Sequence, residues 1–155
     1  MSLDDVSTLL VAVDFSLDSL AAVQEAFGIG KQLQSRLQLL HVVYEPMEEP
    51  ALPHKKKELK KALRPLLEVA AESMKGFVKE HELAKQAKQA KVGLETVVLH
   101  GEPASQIVHT AQKLKAGMII LGYSGTTGIA NLLMGATTEK VLQLSEIPVL
   151  VVKKR

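Results

Sequence analysis

Gly122, Gly125, Gly128 and Gly135 fall within fourteen residues, directly after the apolar run Met118-Ile119-Ile120-Leu121, and a helical pattern begins at Ala136. Glycine tolerates positive φ and lets a ligand approach the backbone closely. The unpaired N–H groups of a helix start, together with the helix dipole, favour an anion. Thr137 and Thr138 add hydroxyls at that start. The chemistry on offer is phosphate binding. A tight turn and close helix packing would call for the same glycines, and residue types alone leave both readings open.

Two other segments follow apolar runs and carry polar groups: Asp14-Phe15-Ser16 and Gly101-Glu102-Pro103. Asp14 offers a carboxylate to a ribose or base, or a cap to the next helix; Ser16 reads as a cap. The familiar nucleotide fingerprints are missing. A P-loop needs G-x-x-x-x-G-K-[ST], whereas Gly30-Lys31 is followed by Gln32 inside a helical pattern. Gly28-Ile29-Gly30 also lies within that helix, so it opens no dinucleotide fold.

Other chemistries find less support. There is no cysteine, which removes disulfides, thiol catalysis and cysteine metal sites. The five histidines, His41, His54, His81, His100 and His109, show no metal-ligand spacing. His41, inside a strand pattern, reads as a core histidine. Gly122-Tyr123-Ser124-Gly125 is one residue short of a nucleophile elbow, and no base accompanies Ser124. No catalytic residue and no protein-held metal is expected.

These segments need a scaffold. Thr8 to Val13 is a continuous apolar run, as in a strand buried on both faces. A helical pattern follows from Ser16, with Ser16 or Asp18 as N-cap. Further strands are expected at Leu37 to about Val43, Leu94 to His100, Met118 to Gly122, and Pro148 to Val152. Between them lie helical stretches. One runs from about Lys56 to Lys91, with a break or kink near Arg64 set by Pro65. Another starts at Pro103 with Gly117 as its C-terminal cap, and the last spans about Ala136 to Leu144. "AKQAKQAK", 84 to 91, reads as a mobile connection, and "HKKKELKK", 54 to 61, as a solvated helix start.

Strict β–α alternation implies one α/β domain over residues 1–155, a parallel sheet with helices on both faces. Ligands of such sheets bind at the carboxyl ends of strands, at a switch point. The 155 residues suffice for a real core, and 46% hydrophobic residues exclude a disordered chain. A net charge of +2 and only five aromatic residues give no basic field or stacking surface for nucleic acid. The opening "MSLDDVSTLL" lacks a signal-peptide pattern, and no run reaches the roughly 18 apolar residues of a membrane span. A soluble, cytoplasmic protein is expected.

The ordered segments "VAVDFSLDS", "LLHVV", "GEP", the glycine loop and "EIPVLVVKK" resemble the universal stress protein family over Thr8 to Val152. Gly122, Gly125 and Gly135 match the G-x2-G-x9-G spacing of its nucleotide-binding branch. The resemblance implies strand order 3-2-1-4-5 in a doubly wound five-stranded parallel sheet. It implies an adenine nucleotide, ATP or AMP, with Mg possible alongside ATP. By position, Asp14 would meet the nucleoside, and Val42 would lie by the adenine. Gly122 and Gly125 would approach ribose and phosphates, with Gly135, Ala136 and Thr137 at the phosphate end. It further implies a homodimer through residues 147–152 and a regulatory stress-response module, at most a very slow ATPase. Two departures weaken the phosphate end: Ala136 replaces the family's Ser or Thr, and Thr126 its arginine. They favour the alternative, an interaction module that keeps the fold without nucleotide and works through its dimer surface.

Overall fold

A computed structural model describes residues 5–44, 53–124 and 133–154, with 53–55 as backbone only. Among the described residues the elements run β1 (Thr8–Ala12), α1 (Leu17–Leu33), β2 (Arg36–Tyr44), α2 (Pro53–Glu80), α3 (Leu83–Ala90), β3 (Leu94–Gly101), α4 (Pro103–Lys113), β4 (Met118–Gly122), α5 (Ala136–Leu144) and β5 (Val149–Val152). The five strands are parallel in the order β3-β2-β1-β4-β5. The expected fold class and strand order are therefore observed.

The period of two along the central strands divides the core. Leu9 and Val11 face one side, where they meet Leu37, Leu39, Ile120 and the helices carrying Ala22, Val23, Phe27, Met74, Phe77, Leu83 and Ala87. Leu10 faces the other, with Leu40, Ile119, Leu121 and residues of α4 and α5 such as Ile107, Ala111 and Val141. Thus α1, α2 and α3 cover one face and α4 and α5 the other. Leu9, Leu10, Ile119 and Ile120 are fully buried, which is why β1 and β4 read as unbroken apolar runs.

Three expectations are corrected. Of the break or kink expected near Arg64, the break does not occur: α2 continues through Pro65 to Glu80. The chain turns instead at His81–Glu82, where Glu82 takes φ 51°. Segment 84–91 is no loose connection: it forms α3, and Leu83 and Ala87 are buried against the core. Gly117 does not cap α4. That helix ends at Lys113 with Leu114 as its C-cap, and Lys115 follows at φ 52°. A Cβ on Gly117 would sit 2.5 Å from Val6 Cγ2, so that glycine makes room for the Val6 side chain, just before β1, instead. The basic run behaves as expected where its side chains are described, with Lys56, Lys57, Lys60 and Lys61 exposed.

Candidate functional site

The carboxyl ends of β1, β2 and β4 open onto one cavity of about 610 Å³. Its position follows from the register. β1 pairs with β2 only as far as Ala12 against Leu40, with one further bond from Val13 N–H to the Leu40 carbonyl. β2 runs on to Tyr44 beside β3, so Val42 to Tyr44 extend past β1. On the other side β1 meets β4, whose chain leads to the opposite face of the sheet. The two crossovers part there and leave a crevice, the switch point of a doubly wound sheet.

Six of the seven residues expected from the sequence border this cavity: Asp14, Val42, Gly122, Gly135, Ala136 and Thr137. Gly125 lies outside the described residues, as does Thr126. The six come from four separate chain segments, so the fold alone brings them together.

The β1 end is sharply turned. Phe15 holds φ 66°, a left-handed conformation that is uncommon for a bulky residue and costs about 1–3 kcal/mol. Its ring lies 4.4 Å from that of His41 and 5.7 Å from that of Phe77. Asp14 Oδ1 accepts from the Ser16 N–H at 3.0 Å and from the Ser16 hydroxyl. Ser16 in turn is the N-cap of α1, accepting from Ser19 N–H at 3.1 Å. Of the capping candidates Asp14, Ser16 and Asp18, Ser16 fills the role and Asp14 braces it. His41 is half-buried, with Nδ1 2.6 Å from the Val13 carbonyl oxygen. It is satisfied, but it borders the cavity rather than lying in the core as expected.

The opposite end is built from β4 and α5. The Tyr123 N–H donates to the Val152 carbonyl and the Gly135 N–H to the Tyr123 carbonyl, at 2.9 and 2.8 Å. The buried Thr138 hydroxyl donates to the Gly122 carbonyl at 2.8 Å. These bonds tie the first turn of α5 to the strand end. Gly135 is its N-cap and has no side chain to offer. Helix geometry leaves the N–H groups of Ala136, Thr137 and Thr138 without intrahelical acceptors. By contrast, α1 is capped by Ser16 and α4 by the Glu102 carboxylate.

Gly122 has a structural reason of its own. A Cβ there would lie 2.7 Å from the carbonyl carbon and 2.8 Å from the carbonyl oxygen of Asp18. The first turn of α1 packs directly on the β4 end, and only glycine leaves the space. Both readings of the first loop glycine meet at this residue, since it also borders the cavity.

Sequence reasoning missed two features. Asp18, buried in the first turn of α1, accepts from both the N–H and the hydroxyl of Ser124. It lies 106 residues from its partner, and nothing local announces the pair. Leu66, Val69, Ala70 and Ser73 of α2, with Tyr44, form an apolar wall along the cavity's β2 side. Leu66 and Val69 are 53% and 65% exposed, so this wall stands open to a ligand. Their i, i+3, i+4, i+7 spacing was the available signal.

Among the described residues no cluster of three His, Cys, Asp or Glu could hold a metal ion. No helix there is long and apolar enough to cross a membrane.

The comparisons agree with the architecture. Universal stress protein MJ0531 of Methanocaldococcus jannaschii is 33% identical over 147 residues, covering 94% of this chain and 81% of that protein. Universal stress protein YxiE of Bacillus subtilis is 31% identical, covering 94% and 97%. The structure of MJ0577 of M. jannaschii superposes with a TM-score of 0.75 at 26% identity, covering 96% of each chain. Two more distant structures share the fold: a universal stress protein in complex with cAMP, at 23% identity and TM-score 0.64, and one from Archaeoglobus fulgidus in complex with dAMP, at 16% and 0.57. The former covers 96% of this chain and 97% of its own, the latter 96% and 98%. The family model for the universal stress protein family matches residues 6–153, and the chain belongs to that family.

Proposed function

We propose that the chain is an adenine-nucleotide-binding regulatory module of the stress response, working in the cytoplasm as one domain over residues 1–155. The observation that carries this reading is the cavity at the switch point, bordered by Asp14, Val42, Gly122, Gly135, Ala136 and Thr137. Adenine would lie against the apolar wall of Leu66 and Val69, where the backbone of Val42 extends past β1 and can meet the base edge. The Asp14 carboxylate would accept from ribose hydroxyls. The phosphate end would face the free N–H groups of α5, with Gly125 completing the loop. Complexes of two family structures with cAMP and dAMP support an adenine nucleotide as the ligand class.

In this reading the module senses nucleotide and is at most a very slow ATPase, and Mg²⁺ would enter only with ATP. Mass spectrometry of the denatured purified protein tests the reading: co-purified AMP or ATP supports it. A chain that carries none and binds none on titration is the interaction module instead.

The same reading includes a homodimer. β5 forms the sheet edge beyond β4, and its Val149, Leu150 and Val151 are only half-buried. An open apolar edge invites pairing with a second copy about a two-fold axis. Sedimentation at micromolar concentration should give a dimer, and a monomer alone would remove this part of the proposal.

A further inference from the structure

We infer that the cavity selects adenine nucleotides of low charge, a monophosphate or a cyclic monophosphate, over the metal-free triphosphate. The inference rests on the nucleotide reading above and concerns what that site can neutralise.

Among the described residues bordering the cavity there is no lysine and no arginine. By sequence, residues 125–132, "GTTGIANL", and 45–52, "EPMEEPAL", contain no lysine or arginine. The fixed charges near the site are acidic. Asp14 borders the cavity, and Asp18 stands behind Ser124, 2.6 Å from its hydroxyl. Lys56, Lys57, Lys60 and Lys61 of α2 are exposed and are not among the residues bordering the cavity, and the lysines nearest its phosphate end are engaged elsewhere. Lys140 of α5 lies 3.3 Å from Glu102 Oε1, and Lys153 sits over the Tyr123 ring at 4.4 Å. His41, the imidazole in the lining, is bonded to the Val13 carbonyl, and the tilted ring of Phe15 lies 4.4 Å from it.

What remains for an anion is the start of α5, equivalent to roughly half a positive charge. A single phosphate already carries about −1.5 to −2 at neutral pH. The first phosphate uses the available N–H donors. Each further phosphate adds negative charge that no cation among the described lining residues offsets, while Asp14 and Asp18 repel it. Adding phosphates therefore yields no gain in affinity, and the apolar wall and Asp14 remain the main source of binding.

Calorimetry on the full chain tests this with AMP, cAMP and ATP in EDTA, at fixed ionic strength and about pH 8, above the ordinary histidine range. AMP and cAMP are expected to bind at least as tightly as ATP. Tighter binding of ATP than of AMP overturns the inference and leaves the nucleotide reading intact. Failure of all three to bind overturns that reading and the inference together. A second variant checks the cause: Thr137→Arg places a cation at the cavity wall and should strengthen ATP by roughly tenfold and AMP less. An equal gain for both nucleotides, or no gain in a variant with an unchanged melting curve, also overturns it.

Discussion

The Asp18 carboxylate holds Ser124 twice, accepting from its backbone N–H at 3.0 Å and from its hydroxyl at 2.6 Å. One residue begins α1; the other opens the glycine loop after β4. The bond thus fixes where that loop leaves the sheet. Asp18→Ala would leave both donors without their acceptor, at a cost of about 1–3 kcal/mol. Asp18→Asn keeps an acceptor oxygen and should lose less. Thermal unfolding of the two variants, compared with the unmodified chain, checks the order.

Glycine is required at one site and dispensable at another. Gly122→Ala would drive a Cβ against the Asp18 backbone, which cannot yield as a flexible side chain could. Overpacking of this kind costs about 1–3 kcal/mol. Gly28, exposed on α1, has nothing within 4 Å of an added Cβ. Gly28→Ala should therefore stabilise by about 0.5–1 kcal/mol through helix propensity. Denaturant midpoints should move in opposite directions.

Glu102 ties the start of α4 to α5. Burial raises its pKa, but the opposing contacts prevail: hydrogen bonds from the Ser105 hydroxyl and N–H, the Ala104 N–H and the Lys140 ammonium hold the carboxyl below its ordinary value. A lowered folded value means that the unfolded chain takes up the proton first as pH falls. The stabilisation is complete above the ordinary glutamate range and is lost as pH drops through the folded value. Glu102→Gln should lower the melting temperature at neutral pH and reduce the difference from the unmodified chain in acid. Melting curves across that range check the sign.

Ala136 begins α5, and its N–H remains available to a phosphate. Restoring a hydroxyl with Ala136→Ser adds one hydrogen bond, and about 1.4 kcal/mol corresponds to tenfold in affinity. The gain is expected for AMP and ATP alike, because the first phosphate of either meets the start of α5. Titration of both nucleotides against the variant measures it, and no gain for either would show that position 136 does not meet a phosphate.

Much of the fold was legible because β1 and β4 are buried on both faces and so read as unbroken apolar runs. The glycine spacing and Asp14 marked strand ends, where such sheets collect ligands. What stayed hidden depends on tertiary contact. Pro65 is tolerated in α2 at an exposed position. The turn at Glu82 carries no proline or glycine; it follows from seating Leu83 and Ala87 on the core. Gly117 looked like a cap but answers to Val6, over a hundred residues away. The Asp18–Ser124 pair joins two segments that only the parallel β1–β4 alignment brings together.

Asp14 offers the most direct measurement, because its carboxylate both borders the cavity and braces Ser16. Ser16→Ala separates the two roles: it removes the α1 cap while the Asp14 carboxylate remains. Calorimetry of AMP and ATP should be run on the unmodified chain, Asp14→Ala and Ser16→Ala, beside a melting curve for each. A nucleotide in the switch-point cavity predicts binding to the unmodified chain and a roughly ten- to hundredfold loss for both nucleotides in Asp14→Ala, the worth of a charge-assisted hydrogen bond. It predicts a lower melting temperature with nearly unchanged affinity in Ser16→Ala. Equal affinities for Asp14→Ala and the unmodified chain, or no binding by the unmodified chain, would contradict it.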